Sequence, residues 1–238
     1  MIAFVVGTSR TRSPSGRRHS MGADATHPFL RFWLRYRHRV AFADLLAHPD
    51  VQEEQVLASP IGFLALHGGL EPGTAEIARE AAQRSGASWY AIVQPDDLKQ
   101  HVPSHETDPG CAPLLAEFLD HVDAVVSVHG YWGHADLHAA LLVGGGDRAL
   151  AAALADRLRA ALPDYVVIDD LDGIPRRLRG LDPRNPVNRP GRGVQVELPH
   201  PVRAIGPYGY GEQGARHRAH TEALVTALAG FARDLATR

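Results

Sequence analysis

Cysteine is almost absent from this sequence, because Cys111 is the single one among 238 residues. The chain cannot close an internal disulfide, and a zinc site built from several cysteines is excluded. Long apolar runs are lacking too, since none approaches the roughly 20 residues that span a bilayer. The apolar opening, residues 1–6, is too short for a signal peptide, and its basic residues follow it. The sequence therefore predicts a cytoplasmic protein with no membrane partner.

An excess of charge of either sign is also lacking. The 25 lysines and arginines nearly balance 27 acidic residues, and the net charge of −2 argues against nucleic acid as the main partner. Histidine, in contrast, is abundant at 14 residues. Because its pKa lies near neutrality, histidine is the residue that a metal site or a proton shuttle uses. With 45% hydrophobic residues, the composition is that of an ordinary globular protein.

The first 38 residues differ from the rest in composition. They are rich in arginine and serine, and Asp24 is the one acidic residue among them. Such a segment buries too little apolar surface to offset the entropy lost on ordering. We therefore expect a disordered extension over residues 1–38 and a folded domain over residues 39–238. A tail that binds anionic surfaces or nucleic acid is the functional alternative, and a start codon placed too far upstream is another.

Beyond residue 40, short apolar runs alternate with amphipathic stretches. The runs predict strands over residues 61–66, 88–94, 123–128, 140–143, 165–168 and 194–198. The amphipathic stretches predict helices over residues 72–85, 114–121, 147–162 and 212–236, with Pro72 in the first turn of the first one. Strands that alternate with helices indicate an α/β sandwich with a mostly parallel sheet.

Polar residues that can carry chemistry lie at the ends of predicted strands. His67 ends the first strand and Glu71 follows closely, while His129 ends the third. In open α/β sheets, ligands bind beyond the carboxyl ends of the strands. Two imidazoles and one carboxylate form a catalytic zinc set with a fourth position for water, so these three residues are candidate ligands. Glu197, inside the last apolar strand, is the candidate general base, because a buried charge is costly without a partner or a role.

Each candidate also has a structural interpretation. A histidine at a strand end can be a hydrogen-bonded packing residue, and Glu71 can be a favourable charge near a helix N-terminus. Glu197 can form half of a buried ion pair with Arg189 or Arg192. The grouping of the candidates at one end of the predicted sheet favours a common site.

Three segments resemble, in order, the motifs of the poly-γ-glutamate hydrolase family. They are HGGLEPGT at residues 67–74, VSVHG at 126–130 and NRPGRGVQVELP at 188–199. The resemblance extends from about residue 41 to the C-terminus, although the first segment has one glycine fewer than the phage-type motif. It implies a zinc-carboxypeptidase-like fold, a three-layer α/β/α sandwich around a mixed, mostly parallel sheet.

The resemblance also implies roles for individual residues. His67, Glu71 and His129 correspond to the family's zinc ligands, and Glu197 corresponds to its catalytic glutamate. The implied cofactor is Zn²⁺, and the implied substrate is a glutamyl polymer.

Candidate substrate contacts come from two further segments. In carboxypeptidase-like sites an Asn-Arg pair grips a substrate carboxylate, so Asn188 with Arg189 or Arg192 is the candidate here. His101 and His105 resemble another family segment near the site, and we expect them to contact substrate rather than metal. Loop histidines and an arginine that binds loop carbonyls are the structural alternatives.

Together these features predict a zinc-dependent hydrolase of amide bonds in a carboxylate-bearing substrate. Within the enzyme class, the alternative is an amidohydrolase of small N-acyl or N-formyl amino acids. A non-catalytic binding module that retains the fold is a different class. The short spacing between His67 and Glu71 is the feature that favours such a binding module, because it departs from the family's motif.

Overall fold

A seven-stranded sheet forms the centre of the computed structural model, which describes residues 40–132, 135–204 and 211–237. The strands are β1 (Gln52–Val56), β2 (Ile61–Gly68), β3 (Ser88–Val93), β4 (Ala124–Gly130), β5 (Ala140–Gly144), β6 (Val166–Ile168) and β7 (Gly193–Leu198). The α-helices in the described ranges are α1 (Phe42–Leu46), α2 (Thr74–Ser85), α3 (Pro113–His121), α4 (Arg148–Ala161) and α5 (Gly211–Ala236). The extension predicted for residues 1–38 lies outside the described residues and stays a prediction.

The strand order is β1-β3-β2-β4-β7-β5-β6. The four central strands β3, β2, β4 and β7 are parallel to one another. β1 is antiparallel to β3, and β5 is antiparallel to β7, while β6 runs parallel to β5. The sheet is therefore mixed with a parallel centre, as predicted. Because β2, β4 and β7 are neighbours, their carboxyl ends meet at one edge of the sheet.

Helices cover both faces of this sheet. Along β2, Phe63 and Ala65 face one hydrophobic core, to which α2, α4 and α5 contribute. Leu64 and Leu66 face the opposite core, to which α1 and α3 contribute. Successive side chains of a strand point to opposite faces, so a strand apolar at every position must be covered twice. The three-layer α/β/α sandwich is thus confirmed.

Two elements, α1 and β1, were not predicted. β1 has the polar sequence QEEQV because it lies at the edge of the sheet. There Glu53 accepts a hydrogen bond from the hydroxyl of Tyr90, and Glu54 pairs with Arg79. An edge strand that uses its side chains in this way lacks the apolar alternation by which strands are identified.

The helix predicted from Pro72 begins two residues later, at Thr74. Gly73 precedes it with a left-handed backbone, φ 89°, which a helix cannot include. Pro72 therefore lies in the turn before α2, and its carbonyl is available to other partners. Within the described ranges, no helix is both long and apolar enough to cross a membrane.

Candidate metal centre

The chain makes a sharp turn where β2 ends, and this turn brings two candidate ligands together. Gly69 has φ 73°, and a Cβ at this position would overlap the backbone oxygen of Gln94. Only glycine fits such a close approach. The N–H of Glu71 then donates to the carbonyl of His67 at 2.8 Å, which closes a turn and carries the carboxylate back over the imidazole.

The three candidate ligands converge on one buried point. Nδ1 of His67 lies 2.9 Å from Oε1 of Glu71, and Nδ1 of His129 lies 3.5 Å from Oε2. The two Nδ1 atoms are 3.2 Å apart, and one donor atom of each residue lies within 4.8 Å of the others. Both histidines are buried, and the Glu71 side chain is 13% exposed. Two imidazole nitrogens and a carboxylate oxygen in this arrangement fit a catalytic zinc site.

Both imidazoles are also held from the far side of the ring. Nε2 of His67 lies 2.9 Å from the carbonyl oxygen of Val102. Because a carbonyl only accepts, Nε2 carries the proton, and in the neutral ring the Nδ1 lone pair faces the cluster. Nε2 of His129 lies 2.9 Å from Oγ of Ser127. Outer partners that fix the ring and its tautomer are characteristic of metal-binding histidines.

Glu71 and His67 strongly shift each other's ionisation. Burial alone would raise the pKa of Glu71, but the charges and hydrogen bonds of His67 and His129 outweigh it and hold that pKa well below its usual range. Burial alone would lower the pKa of His67, but the charge and hydrogen bond of Glu71, with smaller contributions from Val102 and Glu197, outweigh it and raise this pKa. The metal-free cluster thus favours a carboxylate facing a protonated imidazole, and a metal ion would have to displace that proton.

Glu197 lies beside the cluster on the neighbouring strand. In the register of β4 and β7, His129 pairs with Glu197. Nε2 of Gln195 donates to Oε1 of Glu197 at 2.9 Å. Burial, joined by repulsion from Glu71 and opposed by attraction to His129, raises the pKa of Glu197 to about 7. A carboxyl group with this pKa both takes up and releases a proton near neutral pH.

The two candidate contact histidines have different neighbours. The ring of His101 is 5.0 Å from the ring of His67, centroid to centroid, so the structure brings it to the edge of the cluster. His105 lies in a one-turn 3₁₀ helix, Ser104–Glu106, and its Nε2 is 3.6 Å from the Glu106 carboxylate. Substrate contact by either residue stays a prediction.

The structure does not bring Asn188 and Arg192 to the cluster. Oδ1 of Asn188 accepts from the N–H of Gly146, beyond the end of β5. The carbonyl of Arg192 accepts from the N–H of Val125, four residues before His129 on β4. At about 3.3 Å per strand residue, Val125 lies roughly 13 Å from His129 along the strand. Both residues therefore lie at the amino ends of the parallel strands, opposite the three candidate ligands.

Arg189 is exposed and lines a surface groove beside α3, together with Asp120 and Arg184. Glu197 accepts a hydrogen bond from Gln195, and within the described ranges it forms no ion pair with Arg189 or Arg192. Substrate contact by Asn188, Arg189 and Arg192 therefore stays a prediction that their positions do not support.

Several residues that shape the centre were missed at the level of sequence. Ser127 and Gln195 each lie two positions before a candidate residue on the same strand, so strand alternation could have placed them on the same face. Arg203 could not have been identified in this way. It follows β7 in a 3₁₀ helix, Pro201–Arg203, is buried, and reaches the turn before α2.

Relatives of known sequence match about three fifths of this chain. The SPbeta prophage-derived protein YoqZ of Bacillus subtilis (strain 168) is 29% identical over 150 residues, which are 63% of this chain and 49% of the relative. YndL of the same strain is 29% identical over 147 residues, 59% of this chain and 52% of the relative. The chain thus spans about half the length of the curated relatives that it matches.

Solved structures share the fold. A bacteriophage poly-γ-glutamate hydrolase superposes with a TM-score of 0.61 at 24% identity, over 78% of this chain and 91% of that one. The zinc-free form of YndL superposes with a TM-score of 0.57 at 25% identity, over 75% and 89%. The sequence profile of the poly-γ-glutamate hydrolase family matches residues 41–223, and this chain therefore belongs to that family.

Proposed function

We propose that this chain is a zinc-dependent hydrolase of amide bonds and that its substrate is a γ-glutamyl polymer. The observation that carries the proposal is the convergence of His67, Glu71 and His129 at one edge of the sheet, with Glu197 in register beside them. Family membership supports the polymer as substrate. The zinc-free state in which YndL was solved supports zinc as the metal.

The metal would be held by Nδ1 of His67, a carboxylate oxygen of Glu71 and Nδ1 of His129. When bound, a zinc ion supplies Lewis acidity, which polarises a scissile carbonyl and makes water a stronger acid. The short spacing between His67 and Glu71 does not prevent this use, because the turn closed by their backbone hydrogen bond aligns both side chains.

Glu197 is assigned the proton transfers. Its Oε1 accepts from Gln195, so we assign the transfers to Oε2. This oxygen takes a proton from the attacking water and delivers it to the leaving nitrogen, a role that suits a pKa near 7. Tyr131 is not assigned a proton transfer. Burial and the Glu197 charge raise its pKa, and its hydroxyl donates to the carbonyl of Ala140 at 2.6 Å.

The test begins with the zinc content of the purified protein and of His129→Ala prepared in the same way. We expect about one zinc per chain in the wild type and its loss in the variant. The zinc-loaded protein should shorten poly-γ-glutamate, and a chelator should stop this. Glu197→Gln should retain zinc and lose nearly all hydrolysis, because the amide cannot accept the proton.

The same experiment separates the alternatives. Zinc binding without cleavage of the polymer, but with cleavage of N-acyl or N-formyl amino acids, would favour the small-substrate amidohydrolase. Zinc binding without any amide hydrolysis would favour a binding module. A metal-free protein that gains no chelator-sensitive activity when zinc is supplied would overturn the proposal.

A further inference from the structure

Arg203 is a buried arginine that reaches the metal centre from outside the sheet. Only 4% of the residue is exposed. Its Nη1 donates to the carbonyl oxygen of Pro72 at 2.7 Å. Pro72 directly follows Glu71, so this hydrogen bond fixes the backbone on which one candidate ligand is carried.

The same guanidinium packs on the backbone that carries a second ligand. A Cβ placed on Gly130 would lie 2.5 Å from Cζ of Arg203, so the guanidinium occupies the space that a side chain at this position would take. Gly130 directly follows His129, and its N–H donates to Oε2 of Glu71 at 2.8 Å. Arg203 thus contacts the residue after each ligand, Pro72 and Gly130. The hydrogen bond from Gly130 to Glu71 joins the two segments at the same place.

The segment that carries Arg203 is itself anchored. Oγ1 of Thr221, on α5, donates to the carbonyl of Val202 at 2.8 Å, and the side chain of Val202 is fully buried. Ala204, on the other side, has a left-handed backbone with φ 51°, which a non-glycine residue adopts only where its surroundings hold it. Movement of Arg203 is therefore restrained by contacts with α5.

We propose that Arg203 is a positioning residue of the metal centre, which holds Glu71 and His129 at the separation that a metal requires. The metal in this inference rests on the proposed function, whereas the positioning is measurable in the metal-free protein. Residues that orient the ligands of a metal typically contribute ten- to hundredfold to its affinity.

Arg148 provides a matched control. Its guanidinium also donates to backbone carbonyls, those of Val143, Gly145 and Asp169. It lies at the start of α4, and within the described residues no hydrogen bond joins it to any of the three ligands. Arg148→Gln therefore reports the general cost of losing an arginine that binds carbonyls. Arg203→Lys keeps the charge of Arg203 but not the planar fork.

Two quantities should be measured in each variant. The first is hydrogen exchange at the amide of Gly130 in metal-free protein, relative to the core amide of Ala91 in β3. The second is the zinc dissociation constant, from competition with a chromophoric chelator. For Arg203→Gln we expect faster relative exchange at Gly130 and zinc binding weakened by roughly ten- to hundredfold, with an intermediate effect for Arg203→Lys. For Arg148→Gln we expect both values to stay close to wild type.

The inference is overturned if Arg203→Gln changes both quantities no more than Arg148→Gln does. If Arg203→Gln does not fold, the same comparison is made with Arg203→Lys. If the wild type binds no zinc, the proposed function fails. In that case the exchange at Gly130 alone decides whether Arg203 positions the two ligand segments.

Discussion

Gln195 donates a hydrogen bond of 2.9 Å to Glu197, two residues further along the same strand. The orientation of the Gln195 amide is fixed from the other end, because its Oε1 accepts from Nδ2 of Asn185 at 3.0 Å. The nitrogen of the amide must therefore face Glu197. A neutral donor in this position stabilises the ionised carboxylate, which opposes the effect of burial on its pKa.

Replacing Gln195 with Met removes this donor and keeps a side chain of similar length. We expect the pKa of Glu197 to rise, because this hydrogen bond stabilises the ionised carboxylate more than the neutral acid. The acid limb of the pH profile of kcat/KM should therefore move to higher pH. At neutral pH kcat should fall by roughly tenfold, with little change in KM. An unshifted acid limb in Gln195→Met would show that Gln195 does not tune the base.

Gly69→Ala should destabilise the protein far more than Gly86→Ala. Both glycines have a left-handed backbone, φ 73° and φ 72°, so both variants carry the strain of alanine in that conformation, about 1 kcal/mol. At Gly86 a Cβ meets nothing within 4 Å, whereas at Gly69 it overlaps the backbone of Gln94. We expect a loss of roughly 3 kcal/mol or more in Gly69→Ala. Chemical denaturation of both variants measures this, and equal losses would contradict the close approach of β2 and β3.

The strands that form the site could be predicted because they are buried on both faces. β2, β4 and β7 are mostly apolar and buried at every position, and parallel neighbours must end at the same edge. His67 and His129 could therefore be grouped from the sequence. The polar edge strand β1 gave no such signal, since its side chains pair with neighbours in space.

The position of Asn188 could not be predicted from its motif. It lies in a connection of more than 20 residues between β6 and β7, and a long connection is constrained only by contacts with distant parts of the chain. Two of these contacts are the hydrogen bonds of Asn188 with Gly146 and Gly180. They hold the residue near the start of β7, whereas the likeness to the Asn-Arg pair of carboxypeptidase-like sites had suggested a place beside the metal ligands.

His200 should make the protein sensitive to acid. Burial, with a smaller contribution from Arg203, lowers the pKa of His200 to about 4. The folded state therefore prefers the neutral ring, whereas in the unfolded state His200 takes up a proton at its ordinary pKa of about 6.5. The stability that the neutral ring contributes is complete above about pH 6.5 and is lost as pH falls toward 4. The free energy of unfolding should fall more steeply between pH 7 and 4 in the wild type than in His200→Gln. The exposed His121→Gln variant is the control, and parallel curves for wild type and His200→Gln would contradict the assignment.

Zinc affinity should depend on pH through the pairing of His67 with Glu71. The Glu71 carboxylate raises the pKa of His67, so the proton that must leave before Nδ1 can bind a metal is retained to higher pH than in an ordinary histidine. Zinc binding should therefore weaken steadily as pH falls from about 8 to 6. In Glu71→Gln the largest charge that opposes burial is removed, although that of Glu197 remains, so the neutral ring is favoured more than in the wild type. That variant should bind zinc more weakly at pH 8 because a ligand is lost, yet show a shallower dependence on pH. Chelator competition at several pH values measures both effects, and equal slopes would show that Glu71 does not hold the proton on His67.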